Sequence, residues 1–298
     1  MDRLPDQPLR RRRLGVKLAA VRVHGDHAMR FSCRRACVAA ALVVVALIPA
    51  AEVHAAKATE CTKIGICYCV NDELKATIAA KVDAFRQTIA EQRKAGKAIG
   101  YLSVPLTSAG GGNFDVNKEV AERARAAIEK RFGADYIFVL NPGTKEADLP
   151  RSSTGADYML MWTSLLEGAD GLGEFDFAYF AGPQDFARYF GFDGSNDMGK
   201  LDAYFDKRVA ADPAFAKAVQ GGLNKASFRK YYALRASTTV SRGAHDEWNI
   251  FRMLNEKRRA NDQYGPGGQI AVLFDGVAIA PPQGEAAVSD GYVGKCQP

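Results

Sequence analysis

Apolar residues follow two alternating rhythms along this chain, one of helical and one of strand character. Leu74, Ile78, Val82, Phe85 and Ile89 step by four, four, three and four, which places them on one helix face. Residues 98–104 (AIGYLSV) form a compact apolar run of strand length. Val116, Val120, Ala124, Ala127 and Ile128 return to helical spacing, and Gly133 closes that helix. Residues 136–140 (YIFVL) read as a second strand and residues 174–181 (EFDFAYFA) as a third. A helix over 157–167 lies between them. Gly182-Pro183 opens a short helix with proline at its favoured first position. Upstream, the run 64–70 (IGICYCV) adds a short strand, after which Asn71 can cap the first helix.

Strands separated by helix-length spacers predict a parallel sheet with right-handed crossovers. The expected fold is therefore α/β, flavodoxin- or Rossmann-like, with its core at 56–195. Beyond residue 194 the rhythm changes. Residues 199–262 predict three or four helices, and 269–275 (QIAVLFD) a strand that returns to the sheet. The part from 196 to 298 is thus an appended, mostly helical region joined to the core.

Composition changes how much of the 298-residue chain belongs to that fold. Arg30, Arg34 and Arg35 precede an apolar run over 36–51, and Val53-His54-Ala55 offers small residues where a signal peptidase reads. Residues 29–55 read as a secretory signal peptide, with an uncleaved anchor as the alternative. The apolar run is shorter than the roughly 20 residues a membrane span needs. Met29 is a natural start, which makes residues 1–28 an upstream extension. The expected product is periplasmic or secreted if the source is bacterial, with no membrane span after cleavage.

Residues 1–55 hold ten Lys or Arg and four Asp or Glu, which accounts for the whole net charge of +6. The remainder is neutral. Nucleic-acid binding needs a basic face to offset phosphate charge, and none is expected as a partner here.

Cys33 and Cys37 fall in the leader, and Cys61, Cys67, Cys69 and Cys296 remain. An even number in an exported chain predicts two disulfides, with three pairings open. One of them should tie the C-terminus to the N-terminal segment. The C-x-C spacing of Cys67 and Cys69 departs from the common zinc spacing, and no metal is assigned. Reversible redox chemistry at the same pair is a third reading.

Open parallel sheets bind ligands beyond the carboxyl ends of their strands. Residues 105–113, 141–144 and 182–185 lie there. Thr107, Ser108, Gly110, Gly111, Gly112, Asn113, Asn141 and Gln184 are the candidate ligand contacts. Glycines permit close backbone approach, and N–H groups at a helix start attract anions. The loop is neither a P-loop nor a Rossmann fingerprint, so no cofactor is expected. A mobile surface loop fits the same residues.

Asp185 and His245 are the catalytic candidates. Asp185 falls at the third position of its helix, where a carboxylate also complements the helix dipole. His245 is the one histidine after residue 55. It shares a helical stripe with Asn249, Arg252 and Glu256, which suits either a pocket with a general base or an internal hydrogen-bonded network. Lys257, Arg258 and Arg259 read as a solvated helix end. The aromatic cluster around 175–192 reads as core, with base stacking the lesser alternative.

Residues 101–107 (YLSVPLT), 139–142 (VLNP), 161–170 (MWTSLLEGAD) and the strand ending at Gly182 follow one another in an order that resembles the nucleoside 2-deoxyribosyltransferase-like superfamily. The resemblance covers about residues 98–190. It implies a flavodoxin-like fold, nucleoside contacts on the first loop and attack by a glutamate on the anomeric carbon. Where that family carries Glu-x-Gly, this chain reads Gly182-Pro-Gln-Asp185, so Asp185 is the nearest carboxylate. The expected function is binding or processing of a nucleoside- or sugar-phosphate-like molecule, with any enzymatic activity directed at an N-glycosidic bond. The alternative is a non-catalytic periplasmic binding or interaction protein.

Overall fold

The computed structural model describes residues 56–261, 264, 267–279 and 286–297. The expected extension 1–28 and signal peptide 29–55 lie outside the described residues. The described residues belong to one compact unit.

The chain enters through an antiparallel hairpin of β1 (Lys57–Cys61) and β2 (Cys67–Asn71), paired from Lys57↔Asn71 to Cys61↔Cys67. The strand expected over 64–70 begins at Cys67, and Ile64 and Ile66 are instead buried in the turn before it. The α/β core follows as α1 (Lys75–Lys94), β3 (Ala98–Ser103), α2 (Phe114–Phe132), β4 (Ile137–Leu140), α3 (Gly155–Leu166), β5 (Phe177–Phe180) and α4 (Pro183–Phe190). Three further helices, α5 (Asp197–Ala211), α6 (Pro213–Gln220) and α7 (Lys225–Leu234), precede α8 (Arg242–Arg259). The strands β6 (Ala271–Phe274) and β7 (Val277–Ala278) close the sheet.

The sheet order is β4-β3-β5-β6-β7, with the first four strands parallel and β7 antiparallel. This is the α/β, flavodoxin-like sheet with an appended helical region that the hydrophobic rhythm predicts. The connections out of β3 and into β5 run in opposite directions, so the switch point lies between those two strands.

Side chains alternate across the sheet, as the pleat requires. Ile99, Tyr101, Ala178 and Phe180 face α1, α3 and α8, whereas Leu102, Val139, Tyr179 and Ala181 face α2 and the appended helices. Both faces are covered, as expected of parallel strands. On α1 the predicted face is buried as written. On α2, Ala127 is exposed and Ala121 is buried with Val116, Val120, Ala124 and Ile128.

Cys61 bonds Cys67 and Cys69 bonds Cys296. The second bridge joins residues 227 apart and fastens the C-terminal segment to β2. Chain entropy gives about 5 kcal/mol for a loop of that length and about 2 kcal/mol for the short Cys61–Cys67 loop. Replacing Cys69 and Cys296 together by serine should lower Tm by about 10–20 °C, against about 5 °C for the Cys61/Cys67 pair. Differential scanning calorimetry of the two double variants checks this, and equal losses would refute the entropic ranking.

Candidate functional site

The place where an open α/β sheet takes its ligand is the crevice at the switch point. Here the loop after β3 and the turn after β5 border it, and α7 is seated against that loop. Gly111 has φ +103°, and a Cβ on it would lie 2.2 Å from the Ser227 carbonyl oxygen. The glycine therefore permits close approach of a helix. Tyr232 donates its hydroxyl to Asn117 Oδ1 at 2.9 Å and accepts the Asn113 N–H at 2.9 Å. Asn117 donates to the Thr107 carbonyl at 2.7 Å, and Asn113 caps α2 through the Val116 N–H. Thr107 Oγ1 accepts the Ala109 N–H. Thr238 donates its N–H to the Ala181 carbonyl and so closes the other side. Gly112 and Asn113 are buried, while the tip at Ser108 and Gly110 is exposed.

The second loop is likewise engaged. Asn141 is buried, accepts the Gly143 N–H and donates to Glu122. At the third, Asp275 accepts the Gln184 N–H at 3.1 Å with both oxygens and the Asp185 N–H at 3.3 Å. The anion-attracting start of α4 thus holds a carboxylate of this same chain. Gln184 Oε1 accepts from Arg188. A tight turn puts Asp275 there: Asp275 and Gly276 have φ +53° and +84° between paired Phe274 and Val277, as an Asp-Gly hairpin turn demands.

Asp185 is 3% exposed in its side chain. Its Oδ1 accepts from Arg188 at 2.8 Å and its Oδ2 from the Gly182 N–H at 3.1 Å, while the Tyr179 hydroxyl reaches both oxygens. Burial raises its pKa, against these stabilising bonds. Both oxygens are held, which is the geometry of a structural cap.

His245 lies on α8, apart from Asp185 in sequence and on the element that covers the opposite face of the sheet. Its Nε2 sits 3.0 Å from the Thr239 carbonyl and its Nδ1 3.0 Å from Ser289 Oγ. Of the rest of the stripe, Arg252 and Glu256 pair with each other at 3.5 Å, while Asn249 and the neighbouring Asp246 hold the C-terminal segment. Asn249 exchanges two hydrogen bonds with the Val288 backbone, and Asp246 accepts the N–H groups of Gly291 and Tyr292. Arg258 is not solvated as expected but buried, donating to the carbonyls of Leu172, Gly173, Phe175 and Gly268. Loop 172–175 offers unpaired carbonyls, which a guanidinium fork satisfies better than water could reach them.

The most perturbed carboxyl is one the sequence reading passed over. Glu247 points into the core, where it accepts from the Tyr101 and Ser103 hydroxyls, both at 2.5 Å. Burial pushes its pKa up to about 7, opposed by those two bonds. Ser103 is the cross-strand partner of Phe180, so the acid lies beside the carboxyl ends of β3 and β5. Its position on the helix shares the face of Ala244, Phe251 and Leu254, which is the signal that would have exposed it.

Three cavities differ in chemistry. A groove of 630 Å³ runs over edge strand β4 between α1 and α2 and includes Phe138, Arg125 and Asn141. A cleft of 570 Å³ between α2 and α4 gathers Arg123, Lys130, Arg188 and Asp185. A pocket of 490 Å³ at the ends of β5 and β6 is walled by Phe180, Trp248 and Phe274 with His245 at its side. Among the described residues no cluster of three or more His, Cys, Asp or Glu is placed to hold a metal ion.

Two outcomes follow. Gly111→Ala should destabilise by about 2–4 kcal/mol, from a positive φ and overpacking against backbone, whereas Gly110→Ala, with open space around it, should cost about 1 kcal/mol. Urea unfolding measures both, and equal small losses would show that α7 does not press on the loop. A raised acid pKa contributes stability that is complete below the unfolded value near 4.5 and lost as pH rises through 7. For Glu247 that loss is about 3 kcal/mol at most. Wild-type Tm should therefore fall between pH 5 and 8 more steeply than that of Glu247→Gln. Parallel curves would remove Glu247 as the cause.

No protein-family model, curated protein or solved structure matches the chain.

Proposed function

We propose that this is an exported, non-catalytic binding protein. The single observation that carries the reading is the seating of α7 in the switch-point crevice, where an α/β enzyme of this type would hold its substrate. The acid nearest a catalytic position, Asp185, caps α4 with both oxygens. Its weakest replacement for catalysis, Asp185→Asn, should therefore change stability and leave no activity to lose. Two disulfides support an extracytoplasmic location. Among the described residues no helix is long and apolar enough to cross a membrane.

A second reading keeps the nucleoside- or sugar-phosphate ligand and the N-glycosidic chemistry that the superfamily resemblance implies. The observation in its favour is the cleft in which Arg123, Lys130 and Arg188 surround Asp185. Cations there would offset a phosphate.

One experiment separates the two. The purified protein is incubated with nucleosides, nucleotides and sugar phosphates, and released base and thermal shift are measured together. The first reading predicts no base release and no shift. Base release, or a shift of about 5 °C or more that Arg188→Gln abolishes, would replace it by the second.

A further inference from the structure

We infer that the 490 Å³ pocket at the carboxyl ends of β5 and β6 is the binding site for a small, uncharged, mostly apolar molecule with a flat or ring-shaped body. The inference rests on the non-catalytic reading above and gives it a ligand class.

The walls set the chemistry. Phe180 and Trp248 meet edge to face with centroids 5.1 Å apart, and Phe274 and Val288 complete an apolar lining. Among the described residues no Asp, Glu, Lys or Arg lines this pocket, in contrast to the other two cavities. An ion entering it would lose hydration with no opposite charge in the described lining to replace it, which disfavours its entry. Trp248 donates its Nε1–H to the Ala286 carbonyl at 2.9 Å, so its polar edge is already satisfied and its hydrocarbon face remains for a ligand. Both ring nitrogens of His245 are similarly engaged by Thr239 and Ser289. Among the described residues Thr238 and Thr239 are the remaining polar side chains of the wall; Thr239 donates its hydroxyl to Ser237, and the Thr238 hydroxyl suffices for one carbonyl or hydroxyl of a ligand.

The rim agrees with the interior. Val240, Val277 and Val288 are 39%, 64% and 38% exposed. Val240 follows Thr239, Val277 pairs directly with Phe274, and Val288 belongs to the wall. Exposed apolar side chains beside an apolar pocket mark a place that apolar matter enters. The wall is also fixed in advance. Asn249 holds the Val288 backbone on both sides, and the Cys69–Cys296 bridge anchors the segment beyond it. A preformed, largely apolar concavity with few polar groups is the usual form of a small-molecule site.

The test uses the purified, disulfide-bonded protein and the neutral fluorescent probe N-phenyl-1-naphthylamine. Its emission should rise saturably with one probe per chain. Two variants address the site from the surface, so that folding is preserved: Thr239→Trp narrows the mouth and Val288→Asp puts a charge in the wall. Each should weaken binding more than tenfold, with circular dichroism and Tm close to wild type. The anionic probe 1-anilinonaphthalene-8-sulfonate should bind at least tenfold more weakly than the neutral one. Unsaturable uptake, binding indifferent to both variants, or equal affinity for the anionic probe would overturn the inference. None of these outcomes bears on whether the crevice is filled, so the non-catalytic reading stands or falls separately, on base release.

Discussion

The inward polar face of α8 is the constraint on which the rest of this structure depends. A helix in this layer would ordinarily present only apolar groups to a parallel sheet. This one presents Glu247 to the hydroxyls of β3, Asp246 and Asn249 to the C-terminal segment, and Arg258 to the carbonyls of loop 172–175. Buried polar groups are costly when unpaired, so each of these fixes its partner in one position. The sheet, the tail and the loop before β5 are thereby held to a single helix. The Cys69–Cys296 bridge then ties the same tail to the entry hairpin.

The appended helices acquire their meaning from that frame. In an open α/β sheet the switch point is an empty crevice with unsatisfied N–H groups around it, which is why ligands collect there. In this chain the three loops at that edge are satisfied from within. Tyr232 serves Asn113 and Asn117, Asp275 serves the start of α4, and the Thr238 N–H serves Ala181. The glycines of the first loop admit Ser227 of α7 rather than a phosphate. One pocket at the carboxyl edge lies to the side of the crevice, between β5, β6 and α8, and its described lining is mostly apolar.

The fold was largely legible because local periodicity carries it. Helical spacing of Ile78 to Ile89 and the runs at 98–104 and 136–140 each mark an element that forms as read. The Asp275-Gly276 pair was also readable as a hairpin turn, and with it β7, though the strand reading stopped at Asp275. The site was less legible because its decisive contacts join residues far apart in the chain. Gly111 meets Ser227 across more than a hundred residues, and nothing near Gly111 distinguishes a ligand from a helix as the thing that approaches it. Arg258 looked solvated because its partners are carbonyls, which leave no mark on the sequence. The disulfide pairing was open for a similar reason: the β1–β2 register decides it, and Lys57–Cys61 carries no strong strand pattern.

The filling of the crevice by α7 is the central claim, and native-state hydrogen exchange of the Asn113 amide and the α7 amides tests it most directly. The structure predicts that they exchange only through global unfolding, at the same slow rate with and without added nucleoside. Fast exchange through a local opening of α7, or a change in their protection when nucleoside is added, would show that the crevice opens to ligand and would contradict the account.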